Sequence, residues 1–241
     1  MKINEKEIKL YYPNGGPIKS IDAFLDFYSK CYYIDNNKEV EDVIDNILKT
    51  GIKSPVELFR VLAWKFGKID MKKSKENAFV YKGSTDEQSM KLQIPRRKAL
   101  INKSDIEGLY ERIKECSGDF DDDIAKKFLT DIKTFTEEKS WKNHFGSVYM
   151  ITLLYFVSKG KYPIVDSFAY VALEAIYRPI DFGKRIGSPD FNQLYKSGFD
   201  KTFTKGYYAK YIARLEELFG EKVKSREVDQ ALWVYGKLFK K

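Results

Sequence analysis

One carboxylate, Asp166, lies between two apolar segments in the stretch from residue 141 to residue 173. The hydrophobic pattern there predicts a turn at 144–147, a buried helix over 148–157, a basic loop over 158–161 and a second apolar helix over 167–176. The N–H groups and the dipole of a helix N-terminus favour an anion such as phosphate. The turn is therefore a candidate anion site, and Asp166 is a candidate acid or electrostatic stabiliser.

Each candidate residue also has a purely structural interpretation. Asp166 could serve only as the N-cap of the helix that follows it, which is the commonest use of an aspartate there. His144 could be a turn residue bonded to the backbone, and Lys159 and Lys161 could be solvated loop charges. The residues alone leave both interpretations open.

The same stretch resembles the helix-hairpin-helix DNA glycosylase superfamily, and most closely its 8-oxoguanine-glycosylase-like and adenine-glycosylase branches. In that family a glycine-bearing hairpin turn binds a DNA phosphate, an apolar helix follows, and a Pro-aliphatic-aliphatic-Asp segment carries the catalytic aspartate. Gly146, the segment Pro163-Ile164-Val165-Asp166 and the glycine-containing loop between them match this order without a gap. Residues 226–237 are also similar to the closing helix of glycosylase-like proteins.

The resemblance implies a role in base excision repair, with Asp166 as the catalytic residue. The DNA-phosphate contacts that it implies are Gly146, Ser147, His144, Lys159 and Lys161. The partner would be double-stranded DNA with a damaged or modified base, which must leave the stack before its N-glycosidic bond breaks. No cofactor and no metal is expected.

Two departures from the family pattern bear on the chemistry. Asn143-His144-Phe145 replaces the usual Leu-Pro-Gly opening of the hairpin. Val148 stands where the bifunctional members carry the lysine that forms a Schiff base, and a valine cannot form an imine. The expected enzyme is therefore a monofunctional DNA N-glycosylase that hydrolyses the bond. The alternatives are a catalytically inactive, glycosylase-derived DNA-binding protein and a helical protein–protein adaptor.

The composition limits the partners and the compartment. The 241 residues carry a net charge of +8, which favours a polyanionic partner. Cys31 and Cys116 form no Cys-x-x-Cys motif, so an iron–sulfur cluster is excluded, and with a single histidine a zinc site is not expected. The charged N-terminus has no apolar segment, so we expect no signal peptide, and the longest apolar run is about half of the roughly 20 residues that span a membrane. We expect a monomeric cytoplasmic protein, nucleoid-associated if its source is bacterial, with no membrane partner.

The fold expected around these residues is mainly α, with about ten helices, minor β structure at the N-terminus and a helix-hairpin-helix element. The resemblance implies two lobes: residues 1–103 together with 180–241, and residues 104–179, which carry Asp166. Two long loops, 68–103 and 180–204, mix basic and aromatic residues. Such loops suit stacking on bases and contact with phosphates, but each could instead be an ordinary surface loop.

Overall fold

Helical periodicity dominates this chain, and the computed structural model is mainly helical, as predicted. It describes residues 8–94, 99–116, 120–141, 144–178, 181–187 and 206–241. The α-helices in these residues are α1 (Ile21–Asp35), α2 (Lys38–Thr50), α3 (Pro55–Lys65), α4 (Lys103–Lys114), α5 (Asp122–Glu137), α6 (Ser147–Val157), α7 (Ser167–Tyr177), α8 (Tyr207–Phe219) and α9 (Arg226–Phe239). A 3-10 helix, Gly220–Lys224, joins α8 to α9.

The β-strands in the described residues form two short antiparallel pairs. Strand β1 (Leu10–Tyr11) pairs with β2 (Pro17–Ile18), which confirms the minor β structure predicted at the N-terminus. Strand β3 (Leu92–Gln93) pairs with β4 (Leu100–Ile101) directly before α4.

Several of the described helices begin at a residue whose side chain caps the helix. Asn37, Ser54, Asp121 and Ser225 each accept a backbone N–H at the start of α2, α3, α5 and α9. At α4 the cap is Asn102, and its N–H donates to Asp105 Oδ2 at 3.3 Å. Ser104-Asp105-Ile106-Glu107 also fits the sequence pattern of a capping box, but Ser104 lies inside α4, which begins two residues earlier than that pattern would place it.

The chain divides into two compact units at other positions than the resemblance implied. We call Met1–Asp35 with Pro163–Lys241 the terminal unit, and Asn36–Tyr162 the central unit. Both divisions join the two ends of the chain. The difference arises because α2 and α3 pack with α4 and α6, whereas α7 packs along α9. Asp166 thus belongs to the terminal unit, and the expected hairpin at Gly146 belongs to the central unit.

In the terminal unit, α9 packs against both α1 and α7. Tyr28 and Tyr235 are fully buried and their rings lie 5.1 Å apart, and Phe24 packs edge-on against Tyr235 at the same distance. At Gly236 the backbone of α9 comes so close to α7 that an added Cβ would lie 2.0 Å from the carbonyl oxygen of Phe168. This close approach fixes the first turn of α7.

The central unit is built around α6, whose residues from Met150 to Phe156 are all buried. Helix α6 packs against α2, α3 and α5. The fully buried Glu41 accepts a hydrogen bond of 2.8 Å from Nε1 of the half-buried Trp64, so this carboxylate is paired.

Three isolated β-bridges join residues within the segment 68–94, and one ionic network links this segment to α3. Arg60 donates two hydrogen bonds to Glu87, of 2.8 and 2.9 Å, and the hydroxyl of Tyr81 donates to the same carboxylate. Gln93, at the end of this segment, accepts a hydrogen bond of 3.1 Å from Lys68. The basic segment 95–98 lies outside the described residues.

No helix in the part of the chain that the structure covers is both long enough and apolar enough to cross a membrane.

Candidate functional site

The turn before α6 is the expected phosphate-binding element. Gly146 is the N-cap of α6 and makes no side-chain cap hydrogen bond. Its backbone is extended (φ −79°, ψ 178°), and a Cβ added there would meet nothing within 4 Å. Neither the dihedral angles nor internal packing therefore requires a glycine at this position. A bound group that comes close to the backbone would be a reason for a glycine here.

Ser147 and His144, the other two residues expected at this turn, are partly or fully buried. The side chain of Ser147 is buried, with only 5% of the residue exposed. His144 is half-buried, and its N–H donates to the carbonyl oxygen of Trp141 at 2.9 Å. Any anion contact at this turn must accordingly come from backbone groups and from His144 rather than from the hydroxyl of Ser147.

The two expected lysines lie at the far end of α6. Eleven residues at about 1.5 Å each separate the two ends of this helix by about 16 Å. Both lysines are exposed, but Lys161 Nζ donates to the carbonyl oxygen of Phe120, just before α5. Lys159 has a positive φ of 51° and directs its Cε towards Gly51. These lysines and Gly146 therefore cannot bind the same phosphate.

Asp166 is the N-cap of α7. Its Oδ1 accepts hydrogen bonds from the N–H groups of Phe168 and Ala169, at 2.9 and 3.0 Å, and the residue is half-buried. Asp166 is thus an N-cap, as the structural interpretation predicted, and its proposed catalytic role stays a prediction. One carboxylate oxygen is held by two N–H groups at the positive end of a helix, where a negative charge is stabilised.

A half-exposed aromatic and cationic cluster lies beside Asp166 on the terminal unit. Lys240 Nζ donates to Ser167 Oγ at 2.6 Å and lies 4.1 Å from the ring centroid of Phe168. The rings of Phe168 and Trp233 are 5.6 Å apart and meet edge to face. Lys237 Nζ lies 3.6 Å from the centre of the Trp233 ring. We call Phe168, Trp233, Lys237 and Lys240 the aromatic–lysine cluster.

The segment before Asp166 is anchored by two tyrosines of α8. The hydroxyl groups of Tyr208 and Tyr211 donate to the carbonyl oxygens of Pro163 and Ile164, at 2.7 and 3.1 Å. Both tyrosines are almost fully buried. Together with the contact at Gly236, these bonds hold the backbone on either side of Asp166.

Only part of the basic, aromatic loop after α7 lies in the described residues. Phe182 packs against the rings of Tyr11 and Phe239, at 5.8 and 6.2 Å. Arg185 Nη1 donates to carbonyl oxygens at the end of α9, the shortest bond being 2.9 Å to Leu238. This part of the loop is therefore packed against the terminal unit, and residues 188–205 lie outside the described residues.

The aspartates at 121–123 make hydrogen bonds at the start of α5. Asp121 caps α5 through a 2.8 Å bond from Ile124 N–H, and Asp122 accepts from the hydroxyl of Tyr162 at 2.8 Å. Among the residues with described positions, no group of three or more His, Cys, Asp or Glu side chains could hold a metal ion.

The structure gathers Gly146, Ser147 and His144 at one end of α6 and Lys159 and Lys161 at the other, all in the central unit. It gives Asp166 different neighbours in the terminal unit, namely the aromatic–lysine cluster. Sequence reasoning missed Lys240 and Phe168. Phe168 follows Asp166 by two residues and was available as a signal, whereas Lys240 is 74 residues away and only the fold reveals it.

Comparisons with protein-family models, with curated proteins and with solved structures found no match for this chain.

Proposed function

We propose that this protein is a monofunctional DNA glycosylase that hydrolyses the N-glycosidic bond of a damaged or modified base flipped out of duplex DNA. The observation that carries the proposal is the half-buried carboxylate of Asp166, held at a helix N-terminus beside the aromatic–lysine cluster. The resemblance of residues 141–173 to helix-hairpin-helix glycosylases motivates the choice of reaction.

The proposed chemistry is electrostatic. Breaking an N-glycosidic bond develops positive charge on the sugar, as in glycoside hydrolysis. A fixed carboxylate close to that sugar stabilises the charge and can orient the attacking water. The two N–H groups on Oδ1 set the direction of the Asp166 carboxylate before substrate binds, so little reorganisation is needed during the reaction.

The cluster beside Asp166 offers contacts that suit a displaced nucleotide. Aromatic rings stack on bases, and a lysine next to such a ring can pair with the backbone of the same strand. Phe168 and Trp233 are both half-exposed, and Lys240 lies between the Phe168 ring and the hydroxyl of Ser167. In this proposal the extended, open backbone at Gly146 provides room for a DNA phosphate close to the start of α6.

Simple hydrolysis follows from the residue at position 148. A lyase reaction through an imine requires an amine nucleophile at the family's position, and Val148 supplies none. The proposed products are a free base and an abasic site with an intact backbone.

The decisive experiment replaces Asp166 by asparagine. Asparagine is an equally good N-cap, so the side-chain oxygen can still accept from Phe168 and Ala169 while the charge is lost. We expect base release from a panel of lesion-bearing duplexes, detected as alkali-labile strand breaks, to slow by at least about 100-fold, with DNA binding retained. Asp121→Asn makes the same chemical change at the N-cap of α5 and should release base at the wild-type rate.

Three results separate this proposal from its alternatives. A wild-type protein that binds DNA but produces no abasic site from any duplex would be the inactive DNA-binding protein. A wild-type protein with no salt-dependent DNA affinity would be an adaptor. Equal base release by wild type and Asp166→Asn would remove Asp166 from the mechanism.

A further inference from the structure

A small basic cleft lies between α7 and α8 in the terminal unit, farther along α7 than Asp166. It has a volume of about 110 Å³. Its polar lining includes Tyr170, Glu174, Arg178, Tyr207, Lys210 and Arg214. The rings of Tyr170 and Tyr207 are 6.2 Å apart and meet nearly at right angles on one side of it.

The single carboxylate of the cleft is fully engaged with two arginines. Glu174 is 7% exposed, Arg178 Nε lies 3.1 Å from its Oε2, and Arg214 Nη1 donates to its Oε1. The guanidinium of Arg214 also lies 5.0 Å from the ring centroid of Tyr177, which fixes its plane. Glu174 therefore orients both guanidinium groups. With Lys210 the cleft has three cations, and the single charge of Glu174 neutralises only one of them.

The size and charge of the cleft select the class of ligand. Pockets for small organic molecules begin at about 300 Å³, so a cleft of this volume accepts one compact group. Three cations against one carboxylate leave an excess of positive charge, and arginine donors fit phosphate oxygens in pairs. A phosphodiester group satisfies both conditions.

The cleft lies on the helix that begins at Asp166. Tyr170 follows Asp166 by four residues and Glu174 by eight, so all three lie on one face of α7. At about 1.5 Å per residue, Glu174 is about 12 Å along the axis from Asp166. A nucleic-acid strand with one sugar at Asp166 would thus bring a phosphate a few nucleotides away to the cleft.

We propose that the cleft formed by Arg178, Lys210 and Arg214 between α7 and α8 binds one backbone phosphate of the DNA. This inference rests on the proposed function for the identity of the strand. Arg178 and Lys210 contact the phosphate directly, and Arg214 contributes through the guanidinium that Glu174 orients. The cleft contributes affinity and position, and it takes no part in breaking the bond.

The test removes the two exposed cations and leaves the buried ion pair intact. In Arg178→Gln/Lys210→Gln, Glu174 keeps Arg214 as its partner, and the Arg178 side chain is 75% exposed, so the fold is retained. The matched control is Lys30→Gln/Lys222→Gln, which removes two exposed cations from the groove between α1 and α9 in the same unit. Affinity for an undamaged duplex is measured against salt concentration.

Loss of one phosphate contact lowers the slope of log affinity against log salt by about 1. Over a tenfold rise in salt, the wild-type affinity should therefore fall about tenfold more than that of the Arg178/Lys210 variant. The control variant should keep the wild-type slope. Equal slopes for all three proteins, or equal losses in both variants, would overturn the proposal.

The base-release assay distinguishes failure of this cleft from failure of the proposed function. If the wild type releases a base while the Arg178/Lys210 variant keeps the full salt slope, the cleft assignment is wrong and the glycosylase proposal stands. If the slope falls as expected but no duplex yields an abasic site, the cleft assignment stands and the glycosylase proposal fails. A wild type without affinity for DNA overturns both.

Discussion

The sharpest structural prediction concerns Gly236, where α9 meets the first turn of α7. A Cβ at this position would lie 2.0 Å from the carbonyl oxygen of Phe168, 2.6 Å from its carbonyl carbon and 2.9 Å from its Cα. All three atoms belong to the backbone, so no side-chain rotation relieves the overlap. Gly236→Ala must therefore move α9 and α7 apart by about 1 Å or more.

The magnitude follows from two opposing terms. Overpacking a dense core costs about 1–3 kcal/mol, and a backbone overlap of this depth belongs at the upper end. Replacing glycine by alanine inside a helix stabilises the helix by up to about 1 kcal/mol. The free energy of unfolding should accordingly fall by roughly 2 kcal/mol, which lowers Tm by about 4–8 °C for a chain of this size.

The same displacement should affect the proposed chemistry, because Phe168 N–H holds the carboxylate of Asp166. A misplacement of about 1 Å in a catalytic group can slow a reaction about 100-fold. The assay combines thermal unfolding with base release at saturating DNA. Gly108→Ala is the control, since its Cβ would meet only the half-buried ring of Phe135, at 3.2 Å, and that ring can move.

A Gly236→Ala protein that unfolds at the wild-type temperature would refute the close approach of the two helices. A protein that is destabilised but releases base at the wild-type rate would show that the chemistry does not depend on the first turn of α7. An equal loss of stability in Gly108→Ala would show that the cost is not specific to the backbone contact.

Two further predictions concern residues 68–94 of the central unit. Gly83 has a φ of 66°, and a Cβ there would lie 2.2 Å from Gln93 Oε1. Gly83→Ala should therefore lower the free energy of unfolding by about 1–2 kcal/mol, and adding Gln93→Ala should restore only the part that comes from the steric overlap. An unchanged Tm for Gly83→Ala would contradict this prediction. Burial by itself raises the pKa of Glu87, but hydrogen bonds from Arg60 and Tyr81 and the Arg60 charge lower it below its ordinary value overall. The ionised, hydrogen-bonded Glu87 therefore stabilises the folded protein at pH values above the pKa of the unfolded carboxyl, about 4.3, and this stabilisation is lost as the pH falls through the folded pKa. Glu87→Gln should thus flatten the fall of Tm between about pH 6 and pH 3. Parallel curves of Tm against pH for the two proteins would exclude the effect.

The helices were largely predictable from local signals. The periodicity of apolar residues, the Ser54-Pro55 start and the aspartate at 121 each specify a helix boundary through interactions within a few residues. The start of α4 is less certain from sequence, because Ser104 and Asn102 are both good caps and only the structure shows that Asn102 is the one used.

The candidate site was predictable only in part. The position of Asp166 at the start of α7 followed from the sequence, because a cap is a local contact. The neighbours of Asp166 did not follow, since Lys240 and Trp233 reach α7 through the packing of α9, more than 60 residues later in the chain. The inaccessible hydroxyl of Ser147 and the hydrogen bond that commits Lys161 to Phe120 were likewise decided by packing.

The sequence by itself determined that this chain is mainly helical and basic and that one aspartate stands at the N-terminus of a buried helix. These properties depend on residue type, spacing and total charge. Only the tertiary structure decided which segments form each unit, which side chains surround Asp166, and that Arg178, Lys210 and Arg214 converge on one cleft. Such contacts join residues that are distant in the chain. The packing of whole helices brings these residues together, and no local sequence pattern specifies it.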